Sequence, residues 1–152
     1  MELVFGTYPS WSHLVVRLGL GVIFFAHGAQ KVPGWFGGSG LKGTVGHMSQ
    51  MGVPAPAAMA AAFVEFLGGI GMVLGFLVRP AALGIIVVMV VAIAKVHGRH
   101  GLFLNMGNVP GRGHGFEFNL ALIAMALGIL IGGAGVLSID RLIVPLGVAL
   151  IE

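Results

Sequence analysis

Four apolar stretches alternate with polar, glycine-rich connections along this chain of 152 residues. They run from about His13 to Ala29, Ala57 to Val78, Ala81 to Val96, and Phe118 to Ile139. A helix needs roughly 20 predominantly apolar residues to cross a hydrocarbon core, so the first and third must borrow flanking residues to span it. The pattern predicts an all-α polytopic membrane protein. Residues 1–152 form one integral membrane domain, a four-helix transmembrane bundle of two helical hairpins with Gly-rich capping loops. Arg79-Pro80 is the break between the second and third stretches, and Pro suits the first turn of a new helix, so these two should form a tight antiparallel hairpin. With four spans, the connections Gln30–Pro56 and His97–Gly115 lie on the same side, as loops or short re-entrant pieces. Trp11, Trp35 and Tyr8 bracket the first span as interfacial aromatics. The tail Leu142–Ile151 is too short to span and is interrupted by Pro145, so it is expected to be an interfacial helix or packing arm.

The two halves resemble each other. Each reads helix, His-Gly (His27-Gly28, His97-Gly98), Gly-rich loop, Glu-Phe (Glu65-Phe66, Glu117-Phe118), helix. The pattern suggests parallel hairpin repeats about an axis along the membrane normal. Within the second stretch Glu65 shares a helical face with Ala61, Gly68, Gly69 and Met72, and small residues mark close packing in membranes. Glu117 aligns with Ala121, Ala124 and Gly128 in the same way. Both carboxyls are therefore expected to point into the bundle. The GxxxG steps Gly71–Gly75 and Gly128–Gly132 leave homo-oligomerisation open.

Composition supports the membrane reading: 57% of residues are hydrophobic and only 9% charged, against about 25% charged in soluble domains. The formal net charge of +3 comes from eight scattered Lys and Arg, with no basic run to grip nucleic acid. Cys is absent, so disulfides, thiolate ligands and persulfide carriers are excluded, and sulfur chemistry would need a partner's thiol. Met1–His13 lacks the charged start and cleavage pattern of a signal peptide. More Lys and Arg fall on the loop side (Lys31, Lys42, Lys95, Arg99, Arg112) than on the other, which favours cytoplasmic loops.

Glu65 is the ninth residue of a 22-residue stretch with no other charged side chain before Arg79. An ionisable group at that depth costs at least about 2.5 kcal/mol unless paired, protonated or wetted. His27, Lys31, Lys95, His97 and Glu117 fall near the same face, so a vestibule of imidazoles, carboxyls and ammoniums is expected under the loops. Such a set suits proton-coupled chemistry on a lipophilic molecule. Glu65 and Glu117 are the candidate proton carriers, and His27 and His97 the candidate hydrogen-bond donors. Lys31 would favour negative charge developing on a bound oxygen. Phe24 and Trp35 are the aromatic candidates for substrate contact. A purely structural reading has Glu65 pairing with His27, Lys31 or Lys95 to fix helix register. Arg17 and Asp140 read as interfacial anchors or helix-end partners. No metal site is assigned, although His97-x2-His100 and His114-x2-Glu117 supply ligand types, and a haem held by His27 and His97 stays open. The glycines of residues 107–113 lack the strand, helix and Lys of a phosphate cradle and read as a capping turn.

The chain resembles the DoxX family of small bacterial membrane proteins from Arg17 to Asp140. The likeness is carried by Arg17-Leu18, Ala26-His27-Gly28-Ala29-Gln30-Lys31, Gly34-Trp35-Phe36-Gly37-Gly38, Met51-Gly52-Val53-Pro54, Glu65 with Gly68-Gly69, Arg79-Pro80-Ala81-Ala82, His97, Gly115-Phe116-Glu117-Phe118 and Ser138-Ile139-Asp140. The resemblance implies a four-helix bundle in the bacterial inner membrane and a link to quinone-coupled oxidoreductases. The expected function is a membrane subunit of such an enzyme, with quinone as cofactor, membrane lipid around it and a redox partner protein supplying electrons. The rival expectations are a non-enzymatic carrier of protons or small molecules, and a structural anchor for a redox complex.

Overall fold

A computed structural model describes residues 2–143 of the chain. It is helical throughout, in the order α1 (Glu2–Phe5), α2 (Trp11–Lys31), α3 (Gly40–Gln50), α4 (Ala55–Leu74), α5 (Val78–Ala92) and α6 (Glu117–Gly132). A π-helical turn, Ile93–His97, and a 3-10 turn, Gly98–His100, extend α5. Three helical segments are long and apolar enough to cross a membrane: Trp11–Lys31, Ala55–Leu74 and Val78–His100. The fourth, α6, is apolar but shorter. With α2, α4 and α5 it forms a bundle around Leu20, Phe24, Met72, Ile85, Leu122 and Ile129.

Each helix end has a local cause. The Ser10 hydroxyl accepts the His13 N–H at 3.3 Å and caps α2. Pro54 and Pro56 start α4, and Gly75 ends it in the left-handed region at φ 70°. The break between α4 and α5 is therefore at residues 75–77, four residues earlier than the sequence pattern implied. Pro80 sits in the first turn of α5, where its missing N–H costs nothing. The last span stops at Gly132 instead of Ile139, because Gly133 and Gly135 take φ values of 77° and 74°.

That early stop closes the far end of the bundle. The chain after α6 turns beneath it, so that the Arg17 guanidinium donates to the carbonyls of Ala134 (3.0 Å) and Leu137 (3.1 Å). The same guanidinium donates to Met72 and Val73 (2.8 Å), carbonyls left over at the end of α4. The Asp140 carboxylate accepts the N–H groups of Leu77 (2.8 Å) and Val78 (2.9 Å), the orphan donors that open α5. Burial pushes the Asp140 carboxyl above its ordinary range, while the Val78 and Leu77 donors and Arg17 pull it back. Arg17 is fully buried, so it is a helix-end partner and does not snorkel to an interface.

Further expectations are corrected. Inside the first long connection lies a helix, α3, packed on α4 and burying Thr44. On α6 the buried residues are Asn119, Leu122, Ala126, Ile129 and Gly132, while Ala121, Ala124 and Gly128 are exposed. The small-residue stripe aligned with Glu117 therefore faces outward. Glu65 sits in the middle of α4 whereas Glu117 is the first residue of α6, so the two Glu-Phe pairs occupy different heights in the two halves. The tail expected over Leu142–Ile151 lies outside the described residues beyond 143; residues 139–143 are helical.

Candidate functional site

The site begins with glycines. A Cβ on Gly28 of α2 would strike the backbone of Phe66 on α4, and one on Gly69 would strike the backbone of Phe25. Gly21 similarly lies against Val73 and Gly69. With no side chains between them, α2 and α4 pack backbone to backbone, as small residues allow in membranes. This closeness lets Lys31, in the last turn of α2, reach Glu65 in the middle of α4. The Lys31 Nζ lies 2.6 Å from Glu65 Oε1 and 2.5 Å from Oε2. Glu65 is 3% exposed, while the Lys31 side chain retains 32% exposure. Lys31 is thus the more accessible member of a pair whose carboxylate is buried.

The pair borders two cavities. The first, called the inner cavity because it adjoins the core residues Phe24 and Leu122, has a volume of about 550 Å³, lies between α2, α5, α6 and the second long loop and is lined by Phe24, His97 and Asn119 together with the exposed His27, His114 and Phe118. The outer one, of about 970 Å³, is an elongated cleft between α4 and α5 beneath α3. Lys31, Glu65, Ala92 and His97 line both. The π-helical turn carries Lys95 and His97 into this region; such wide turns recur at functional sites. His97 Nδ1 lies 3.0 Å from the carbonyl oxygen of His114. A carbonyl only accepts, so Nδ1 carries the hydrogen and Nε2 is the basic nitrogen of the neutral ring.

The structure therefore brings together Phe24, His27, Lys31, Glu65 and His97. Glu117 and Trp35 lie elsewhere. The Glu117 carboxylate accepts the Leu104 N–H at 2.8 Å and its own N–H donates to Leu102 at 2.9 Å, so it organises the loop whose Leu104 lines the inner cavity. Trp35 packs edge-on against Phe25 and Phe66, with ring centroids 6.4 Å apart in each case. Asn119 was not anticipated. It is buried in the inner cavity wall, and its amide lies 3.3 Å from the Met89 sulfur. Its signal was an amide side chain in an otherwise apolar stretch. Among the described residues no group of three His, Asp or Glu side chains is gathered so as to hold a metal ion.

The DoxX family model matches residues 12–98, more than half of the chain and the part that contains α2, α4, the π-helical turn and the Lys31–Glu65 pair. The chain belongs to the DoxX family. Its relatives include the inner membrane protein YphA of Escherichia coli strain K12, 30% identical over 130 residues, which cover 84% of this chain and 87% of that protein. A Bacillus subtilis strain 168 protein named "Putative oxidoreductase CatD" is 26% identical, over 84% of this chain and 83% of its own. The Mycobacterium tuberculosis protein named "Uncharacterized membrane protein Rv3486" is 28% identical over 93% of both chains. No solved structure matches. This DoxX family chain is a membrane protein with several apolar helices, and α6 and the loop residues Leu104, His114 and Gly115, which also line its inner cavity, lie outside the matched region.

Proposed function

We propose that this protein is the membrane subunit of a quinone-linked oxidoreductase in the bacterial inner membrane, and that the quinone ring occupies the inner cavity. The observation that carries the reading is the Lys31–Glu65 pair, its carboxylate buried, in a cavity lining shared with His97 and Asn119. Intramembrane ionisable residues that face an interior cavity mark proton or substrate sites by default. The cavity lies within the roughly 300–1,000 Å³ of small-molecule sites and combines aromatic walls with a few polar groups.

Phe24 and Phe118 would face the ring, and the Asn119 amide and the Lys31 ammonium would donate to its oxygens. Bound there, a quinone supplies acceptance of two electrons and two protons. His97, with Nδ1 committed to the His114 carbonyl, holds a proton at Nε2 only as the imidazolium, so in its neutral form it serves as the acceptor in a relay. Glu65 fixes the Lys31 ammonium in place through contacts to both carboxylate oxygens, the nearer at 2.5 Å. Below the cavity Leu20, Ile85, Ala126 and Ile129 are fully buried, so its floor is packed, which favours binding over a path through the bundle. The described chain offers no thiol, so electrons are assigned to a redox partner protein.

Mass spectrometry of the lipophilic molecules that co-purify in native-lipid particles is the direct test. Recovery of a quinone, and weaker binding of added ubiquinone by His27→Ala and Asn119→Leu, are the expected results. A purified protein that carries no quinone and binds none when ubiquinone is added defeats the proposal.

A further inference from the structure

The outer cleft has two kinds of wall. Lys95, His47, His97 and Thr44 gather beneath the loops, and the Lys31–Glu65 pair belongs to the same lining. The α5 wall from Pro80 to Ala92 carries no polar side chain, and Ala57, Ala60, Ala61 and Val64 of α4 line the cleft across from it. On α5 the lining reaches from Pro80 to His97, about 25 Å at the helical rise. That is close to the roughly 30 Å thickness of a hydrocarbon core. Gly84 on α5 lies against Val64 of α4, and Leu83, Val87 and Val91 stay exposed along the cleft.

We infer that this cleft is the binding site for the linear isoprenoid tail of the quinone, so that the site selects long-tailed substrates and is entered sideways from the membrane. The inference rests on the ring placement proposed above. Continuity carries it: Lys31, Glu65, Ala92 and His97 line both spaces, so a ring in the inner cavity has a route for its tail between α4 and α5. A single chain fits a cleft whose α5 wall is long and apolar and whose charged pair sits where the two spaces meet. The tail gives up lipid contacts for protein contacts of similar kind, so the cleft contributes fit and orientation more than hydrophobic driving force. The same chain passing the Lys31–Glu65 pair would exclude water from it.

The experiment compares two ligands, ubiquinone with its full isoprenoid tail and the same ring bearing a methyl group in place of the tail. Both are titrated against wild-type protein, against the cleft-filling pair Ala60→Phe with Val87→Phe, and against Val15→Phe. Val15 is an exposed α2 residue that borders neither cavity, so Val15→Phe adds an aromatic ring elsewhere. The cleft variant is expected to weaken the tailed ligand about tenfold or more, a change of roughly 1.4 kcal/mol, and to leave the tail-less ring unchanged, which also reports that the fold is intact. Val15→Phe should alter neither. Equal losses for both ligands, no loss for either, or a changed oligomeric mass in place of a tail effect would overturn the tail assignment while the ring site stands. Wild-type protein that binds neither ligand would overturn the ring placement, and the tail site with it.

Discussion

Gly28 of α2 rests directly on the backbone of Phe66 in α4, and this contact places Lys31 over Glu65. The two events are three residues apart on α2 and one residue apart on α4. A side chain at Gly28 would force the helices apart and lengthen the ion pair with them. Gly28→Val should therefore destabilise the protein by about 1–3 kcal/mol, the cost of overpacking a close interface, and weaken quinone binding as well. Gly128 is the control, since a Cβ there meets nothing within 4 Å; Gly128→Val should leave both properties unchanged. Thermal unfolding and ubiquinone titration of the two variants decide the matter.

Removing one member of the ion pair leaves the other in a poor solvent. Lys31→Met abandons a carboxylate that is 3% exposed, and is expected to cost about 3–5 kcal/mol. Lys31→Met combined with Glu65→Met removes both charges and should recover most of that stability, because an apolar pair of similar volume satisfies the site. A double-mutant cycle on chemical unfolding measures the coupling. Quinone binding should fail in the double variant even as stability returns. Binding that returns together with stability would make the pair structural only.

Much of this arrangement was legible in the chain. A carboxyl among Ala61, Gly68, Gly69 and Met72 announces a buried face, because small residues admit a neighbouring helix and lipid does not pay a carboxylate's desolvation. The His-Gly and Lys31 positions likewise point to the loop side. Other features were hidden for physical reasons. The face of α6 was not readable because its apolar residues surround the axis evenly, so Ala121 and Ala124 carried no more signal than Leu122 and Ala126. Helix α3 was masked by Gly40, Gly43 and Gly46, which lower helix propensity, although Leu41, Thr44 and Met48 keep a helical spacing. Gly28 and Gly69 looked like ordinary membrane-helix glycines until their partners were seen. The path of the chain after α6 is held by Arg17, more than a hundred residues away in sequence, through the carbonyls of Ala134 and Leu137.

The Arg17 cluster makes its own prediction. The guanidinium satisfies four carbonyls, on α4 and on the segment after α6, from one buried position. Lysine keeps the charge but lacks the planar fork, so it reaches fewer of them. Arg17→Lys should lose about 2–4 kcal/mol, from one or two charge-assisted hydrogen bonds with their acceptors left buried. Hydrogen exchange should quicken at the end of α4 and in residues 133–138, and remain slow around Lys31 and Glu65. Uniform loss of protection would instead mean that Arg17 holds up the whole bundle.

Glu117 separates a proton carrier from a positioning residue. Its carboxylate accepts the Leu104 N–H, and a glutamine oxygen can accept the same bond without titrating. If position is what matters, Glu117→Gln should bind ubiquinone like the wild type and lose no more than about 0.5 kcal/mol. Glu117→Ala should release the Leu104 amide, which hydrogen exchange would detect directly, and weaken ubiquinone binding because Leu104 lines the inner cavity. A Glu117→Gln protein that keeps Leu104 protected and binds quinone, yet changes the pH profile of turnover with its redox partner, would return Glu117 to the proton path. The ion-paired Glu65 and the loop-bound Glu117 would then act in series, from the cavity wall to the membrane surface.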